Sequence, residues 1–232
     1  MLPHRPAPLL ATRRAWIGAG AGLLAGSLAG LSSPPAQALP VRALQFPRDH
    51  GSHPDLRTEW WYITGHLEAE GAVWGFQLTF FRSRVDGTQG MQSAFAAKQL
   101  LFAHVALTDV RGARQQHDQR IARAGFGVAR ASEVDTDIRL QDWTLQRQDA
   151  AADPNGLASS RYITQIVGND FSLDLQFDST QPVLLQGQQG LSRKGPAQDQ
   201  ASYYYSQPQL TVAGNITVGK QRLQAVPGKG RA

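Results

Sequence analysis

The segment Phe171-Ser172-Leu173-Asp174-Leu175-Gln176-Phe177-Asp178 alternates apolar and polar residues without a fault. Successive side chains of a strand point to opposite faces, so this run turns one face to a core or lumen and the other to water. Leu210, Val212, Gly214, Ile216 and Val218 keep the same period. Trp61 to Leu67 leads across Glu68 to Gly71 into Val73 to Phe81, which predicts a hairpin. Leu100 to Val110 reads as a long apolar strand carrying His104, and Tyr162 to Val167 and Ala201 to Tyr205 add two more. Ile138 and Leu140 give way to Trp143 and Leu145, an odd step that predicts a bulge near Asp142. Gln115 to Gly125 predicts a short helix or an irregular loop. A parallel sheet needs intervening helices, which are missing. The economical reading is all-β, an antiparallel barrel or strongly bent sheet.

Composition closes off several functions. The 232 residues are 41% apolar and 18% charged, which suits one large folded domain. The net charge of +5 is concentrated in the first 38 residues, which hold Arg5, Arg13 and Arg14 and no acidic residue. The remainder is close to neutral, so no footprint for nucleic acid is left. With no cysteine there is no disulfide, thiolate metal site, cysteine nucleophile or lipidated cysteine anchor. No Gly-rich phosphate loop or repeated motif is present.

The densest polar constellation is Asp49-His50-Gly51-Ser52-His53-Pro54-Asp55, followed by Arg57-Thr58-Glu59-Trp60-Trp61-Tyr62. Gly and Pro make its first half a loop whose polar groups bond their own backbone or, at longer odds, hold a metal; no metal site is expected. Glu59 beside two Trp is open to two readings. Held against apolar rings, its pKa rises and it donates a proton; otherwise it pairs with Arg57 or Arg82. The second constellation is aromatic: Trp60, Trp61, Tyr62, Trp74, Phe76, Phe80, Phe81 and Tyr203-Tyr204-Tyr205. Alternation puts Tyr203 and Tyr205 on one side and Tyr204 on the other. Such rings fill a core, or line a site for a long apolar ligand. No Gly-x-Ser-x-Gly elbow occurs in the mature part, and Gly190 to Gly195 reads as a basic loop, which speaks against a serine hydrolase.

Asp49-His50-Gly51, Arg57 to Gly65 and Phe76 to Arg82 together resemble the lipocalin-like family that includes carotenoid 1,2-hydratases and AttH-type secreted proteins. Leu101 to His104, Asp118 to Ile121, Asp142-Trp143, Gln186-Gly187, Ser192 to Gly195 and Ala201 to Ser206 extend the resemblance from Phe46 to the end. It implies tandem lipocalin-like barrels and, in the hydratase members, addition of water to a terminal carbon-carbon double bond of an acyclic carotenoid without a cofactor. By that resemblance the partner is a lipophilic small molecule of the carotenoid kind, in a site lined by some of Trp60, Tyr62, Trp74, Phe76 and Tyr204. A non-catalytic periplasmic carrier is the alternative, and a secreted hydrolase the third. The family's Trp-Leu-Asp-His-Glu-Trp-like stretch and second barrel do not appear, so no catalytic residue is transferred from it. The acid is sought among Glu59, Asp55 and Asp49, with His50 a further candidate.

Two expectations concern the ends. After the strand reaching Val218 only Gln221 to Val226 precedes a Gly-Lys-Gly tail, so the closing strand of a barrel is not in sight. Residues 39–232 are therefore expected to be a truncated N-terminal lipocalin-like domain with an open edge, inactive alone. Residues 1–38 read as a twin-arginine-type signal: Thr12-Arg13-Arg14 precedes an apolar run from Ala15 to Leu31, and Ala36-Gln37-Ala38 fits the cleavage site. The run is Gly- and Ala-rich and too short for a permanent membrane anchor, so the mature chain is expected in the periplasm or medium of a bacterium. Changing Arg13 and Arg14 together to Lys is expected to strand the precursor in the cytoplasm; unchanged periplasmic yield on fractionation would assign it to general secretion.

Overall fold

The computed structural model describes residues 38–150, 159–197 and 199–232; the twin-arginine segment and the apolar run after it lie outside them. Four antiparallel strands come first and pair in chain order: β1 (Thr58–Ala69), β2 (Ala72–Arg84), β3 (Gln99–Asp109) and β4 (Arg114–Arg123). Next come β5 (Ala129–Ala131), β6 (Asp137–Leu140), β7 (Trp143–Ala150), β8 (Ser159–Val167) and β9 (Phe171–Asp178), each antiparallel to the one before. Two ribbons follow, in which β10 (Leu184–Leu185) pairs with β13 (Tyr205–Ser206) and β11 (Leu191–Arg193) with β12 (Ala201–Tyr203). Finally β14 (Thr211–Val218) joins β9, and β15 (Gln221–Gln224) joins β14.

The result is a four-stranded and a seven-stranded sheet, neither closed into a barrel. The last residues stitch them together. Arg231 forms bridges with both His66 of β1 and Thr211 of β14, and Ala232 exchanges backbone hydrogen bonds of 2.9 and 3.0 Å with Leu210. The expected open edge is thus filled in part: His66 and Glu68 are paired with Arg231 and Val226. Trp60, Tyr62 and Thr64 share the phase of His66, directing their backbone groups away from β2, and have no backbone partner among the described residues.

Alternation decides what each sheet buries. The inner face of the first holds Ile63, Leu67, Phe76, Leu78, Phe80, Leu101, Val105 and Leu107; the second contributes Trp143, Ile166, Leu173, Leu175, Phe177 and Ile216. Phe76 and Phe177 meet across the gap with ring centroids 5.7 Å apart. Trp143 is wholly buried, its indole N–H donating to the Val167 carbonyl at 2.9 Å and Arg120 lying 4.7 Å over its ring. Buried side chains of both sheets form one core between them.

Three local expectations change. Gln115 to Gly125 is neither helix nor loop: β4 is a polar strand, whose phase shows only in Gln116, Asp118, Arg120 and Ala122 turning inward. The odd step near Asp142 is a tight hairpin, not a bulge: Leu140 pairs with Trp143 and Gln141 takes a φ of +59°. Gly190 to Gly195 contains β11, paired with β12, so it is a ribbon and not a free basic loop.

Gly214 in the middle of β14 adopts a φ of +113°, and a Cβ there would sit 2.2 Å from the Asp174 carbonyl oxygen. Gly219, in the β14–β15 turn, has a φ of +59° with open space around it. Gly214→Ala is expected to cost about 2–3 kcal/mol, because strain and a backbone clash add, whereas Gly219→Ala costs about 1 kcal/mol from strain alone. Denaturant unfolding midpoints of the two variants measure the difference.

Candidate functional site

The loop before β1 and the first two strands build a chain of alternating charges. Glu59 and Arg82 face each other across β1 and β2, and Arg82 Nε donates to Glu59 Oε2 at 2.7 Å. The Arg82 guanidinium is 2% exposed, a cost only full hydrogen bonding offsets. Its remaining N–H groups reach Gln99 Oε1 and the carbonyls of His53, Leu56 and Pro54. Glu59 also accepts from the His53 amide and from His53 Nδ1, the latter at 2.7 Å. On its other side His53 Nε2 lies 2.8 Å from Asp49 Oδ1, and Asp49 is gripped by both ends of the Arg42 guanidinium at 2.7 and 2.8 Å. Glu59 is therefore in the ion pair with Arg82, with both oxygens engaged. Of the two readings open at Glu59, the pair is the one the geometry takes.

Electrostatics follow from these contacts. The Glu59 hydrogen bond chiefly, helped by Asp49, raises the His53 pKa against the pull of burial and of Arg48. Carboxylates only accept, so imidazolium satisfies both sides at once. Burial pushes the Asp49 carboxyl up, but Arg42, the Gln45 amide and His53 overcome it and hold it well below the usual range. Asp55 does not join this cluster: its side chain stands in solvent, 3.5 Å from Arg84.

His50 faces the other way, into a polar layer at the end of the core. It is 2% exposed, its Nδ1 is 2.9 Å from the Tyr205 hydroxyl, and its carbonyl accepts from Trp61 Nε1 and Thr136 Oγ1. Burial, reinforced by Arg147, lowers its pKa to about 3, so it is neutral. Nearby, Tyr162 donates to Gln207 at 2.5 Å, and burial raises its pKa to about 12. Burial also lifts Tyr205 well above its ordinary value. Phe46 packs on both His50 and Tyr205.

The aromatic candidates divide. Phe76 is core, and Trp74 turns to the inner face, its indole N–H without a partner among the described residues. Trp60 and Tyr62 point outward from β1, 36% and 45% exposed. Tyr204 comes to them from the break between β12 and β13: the hydroxyls of Tyr62 and Tyr204 are 2.6 Å apart, and Lys194 Nζ lies 4.2 Å from the Tyr204 ring centroid. That hydrogen bond first, then burial, raises the Tyr62 pKa to about 12. Tyr203 and Tyr205 turn to the segment before β1 instead, through Pro40 and His50, as alternation predicts. The outward set also contains two rings that the family resemblance had not singled out as lining. Phe81 and Phe102 stack at 4.6 Å beside Trp60, and their phase on β2 and β3 was the signal that could have found them.

Among the described residues no cluster of three or more His, Asp or Glu side chains is arranged to hold a metal ion.

Because folding raises the His53 pKa, the folded state binds the extra proton. This stabilisation is complete below about pH 6.5, the unfolded value, and is lost as pH rises through the folded one. Unfolding midpoints of the wild type are expected to fall above neutral pH, and His53→Gln should remove that alkaline slope. Arg82→Met, which leaves Glu59 without its strongest partner, is expected to cost about 3 kcal/mol; equal midpoints for it and the wild type would contradict the clamp.

Comparison with known proteins agrees with this architecture. No curated protein matches the chain. Among solved structures, an AttH protein from Nitrosomonas europaea superposes with a TM-score of 0.68 at 44% identity, over 84% of this chain and 55% of that one. Kievitone hydratase from Nectria haematococca shares the fold with a TM-score of 0.54 at 10% identity, over 82% of this chain and 49% of that one. The chain spans about half the length of each of these structures. The sequence profile of the AttH-like family matches residues 37–232, and the chain belongs to that family.

Proposed function

We propose that this chain is a lipocalin-like binding domain for a lipophilic molecule, held on the outward aromatic face around Trp60, Tyr62 and Tyr204. The observation that carries this reading is the division of the rings. The inner face is filled by buried side chains such as Phe80, Trp143 and Phe177, while a coherent set of rings is left outside at β1 and β2. Exposed rings in register cost free energy unless something covers them. The export signal read from the first 38 residues would place this binding outside the cytoplasm.

Hydration of a carbon-carbon double bond is the second reading, favoured by the fold shared with kievitone hydratase. Protonating an alkene needs an acid. Asp49 and Glu59 are held in ion pairs and Asp55 stands in solvent, away from the rings. The Tyr62 and Tyr204 hydroxyls do meet on the outward side, but a phenol is roughly a million-fold weaker acid than a carboxyl group. Binding therefore ranks above catalysis for these residues.

Titration of the chain from residue 39 onward with retinyl acetate, a neutral polyene, is expected to quench Trp fluorescence to saturation. Trp60→Ala and Tyr62→Ala should each weaken the binding about tenfold, which corresponds to about 1.4 kcal/mol. A linear response without saturation would rule out the binding reading. Hydroxylated product from lycopene or neurosporene, lost in Tyr204→Phe, would instead establish the second.

A further inference from the structure

The outer face of the four-stranded sheet carries one apolar row across all its strands. Trp60, Phe81, Phe102 and Ile121 are register partners on β1, β2, β3 and β4 in turn. Three strand spacings make the row about 14 Å long. Phe81 and Phe102 lie nearly parallel, at 9°, and Ile121 is 64% exposed. The next row, Tyr62, Thr79, His104 and Gln119, is polar, so the apolar strip is narrow and has one side that donates and accepts.

Its β1 end is chemically distinct. Tyr204 is anchored by its backbone, its N–H donating to Gly190 at 2.7 Å and its carbonyl accepting from Gln186 at 3.0 Å, so the ring is held where Tyr62 can reach it. One proton serves the contact between the two hydroxyls. The second is left over, and neither hydroxyl has another partner among the described residues. The exposed Lys194 ammonium lies against the same ring, in the arrangement of a cation over a π face. A pure hydrocarbon would satisfy the row and leave this spare donor and this cation unmatched.

Resting on the binding reading above, we propose that the occupant is a flat, unsaturated, amphipathic molecule with an acidic oxygen at one end. Its apolar body lies along Trp60, Phe81, Phe102 and Ile121, and its carboxylate or phenolate meets Lys194 and the free hydroxyl proton of the Tyr62–Tyr204 pair. Charge complementarity selects this class over a neutral polyene, because a charge-assisted hydrogen bond from phenol to oxyanion is about twice as strong as a neutral one. Lys194 supplies the attraction and the tyrosines the direction.

The test compares parinaric acid, a conjugated tetraene carboxylate, with its methyl ester, read by the rise in probe fluorescence on binding. The acid is expected to bind the wild type about tenfold more tightly than the ester. In Lys194→Met and in Tyr204→Phe that preference should shrink to about twofold or less, because affinity for the acid falls much more than affinity for the ester, which still binds with saturation. Both substitutions are in half-buried or exposed positions away from the core, and retained ester binding itself reports a folded platform. Equal binding of acid and ester to the wild type would overturn the acidic-head inference while leaving the ring platform standing. A preference that survives both substitutions would overturn the assignment to Lys194 and the tyrosine pair. Failure of both probes to saturate would overturn the platform and this inference together, and would point to a protein covering the row.

Discussion

A guanidinium buried on the inner face of a β-sheet is tolerable only when every N–H it carries is matched. Arg82 meets that condition with five donors and five acceptors: Glu59, Gln99 and the carbonyls of His53, Leu56 and Pro54. Three of those acceptors are backbone atoms of the loop before β1, so the arginine shapes that loop around itself. His53 then relays the charge to Asp49, and Asp49 to Arg42, which ties the chain from residue 42 onward to the end of the sheet. His50 is set beside His53 by the same turn and closes the end of the core with Tyr205, Tyr162 and Arg147. Two histidines three residues apart thus end in opposite electrostatic environments: the carboxylates around His53 favour its charged form, while burial keeps His50 neutral.

This polar end has a consequence for chemistry. A cluster rich in His, Asp, Glu and Arg invites an acid-base assignment, yet every titratable member near β1 is already saturated by a neighbour. What such a cluster supplies is rigidity at the base of β1, so that Trp60 and Tyr62 project outward from a strand that cannot slide. The Tyr62 and Tyr204 hydroxyls stand outside that network: they meet each other, and one of their two protons has no partner among the described residues. The AttH-like fold here separates a packed interior from an aromatic exterior, unlike a closed barrel whose ligand sits in its lumen.

The all-β class, the β1–β2 hairpin and β9 were legible because an apolar side chain every second residue leaves no other economical arrangement. Phe171 to Asp178 forms β9 without a residue's shift. β4 was not legible: Arg114 to Arg123 carries almost no apolar phase, and its strand state comes from pairing with β3 along its whole length. The hairpin at Gln141 and Asp142 was mistaken for a bulge because both place two apolar positions out of step, and only the pairing of Leu140 with Trp143 separates them.

For the site, the sequence by itself determined which residues could matter, and the local rule of alternation determined that Trp60 and Tyr62 lie opposite Trp61. It also separated Tyr204 from Tyr203 and Tyr205. Only the tertiary structure decided which of those faces is the inside, because that depends on where the second sheet packs. It also decided that Glu59 pairs with Arg82, 23 positions away, and not with Arg57. The meeting of Tyr62 with Tyr204 across 142 positions was decided there too. Neither contact has a local signature: short-range sterics encode the period of a strand, while long-range partners follow from register and from the packing of a core that the whole chain builds together.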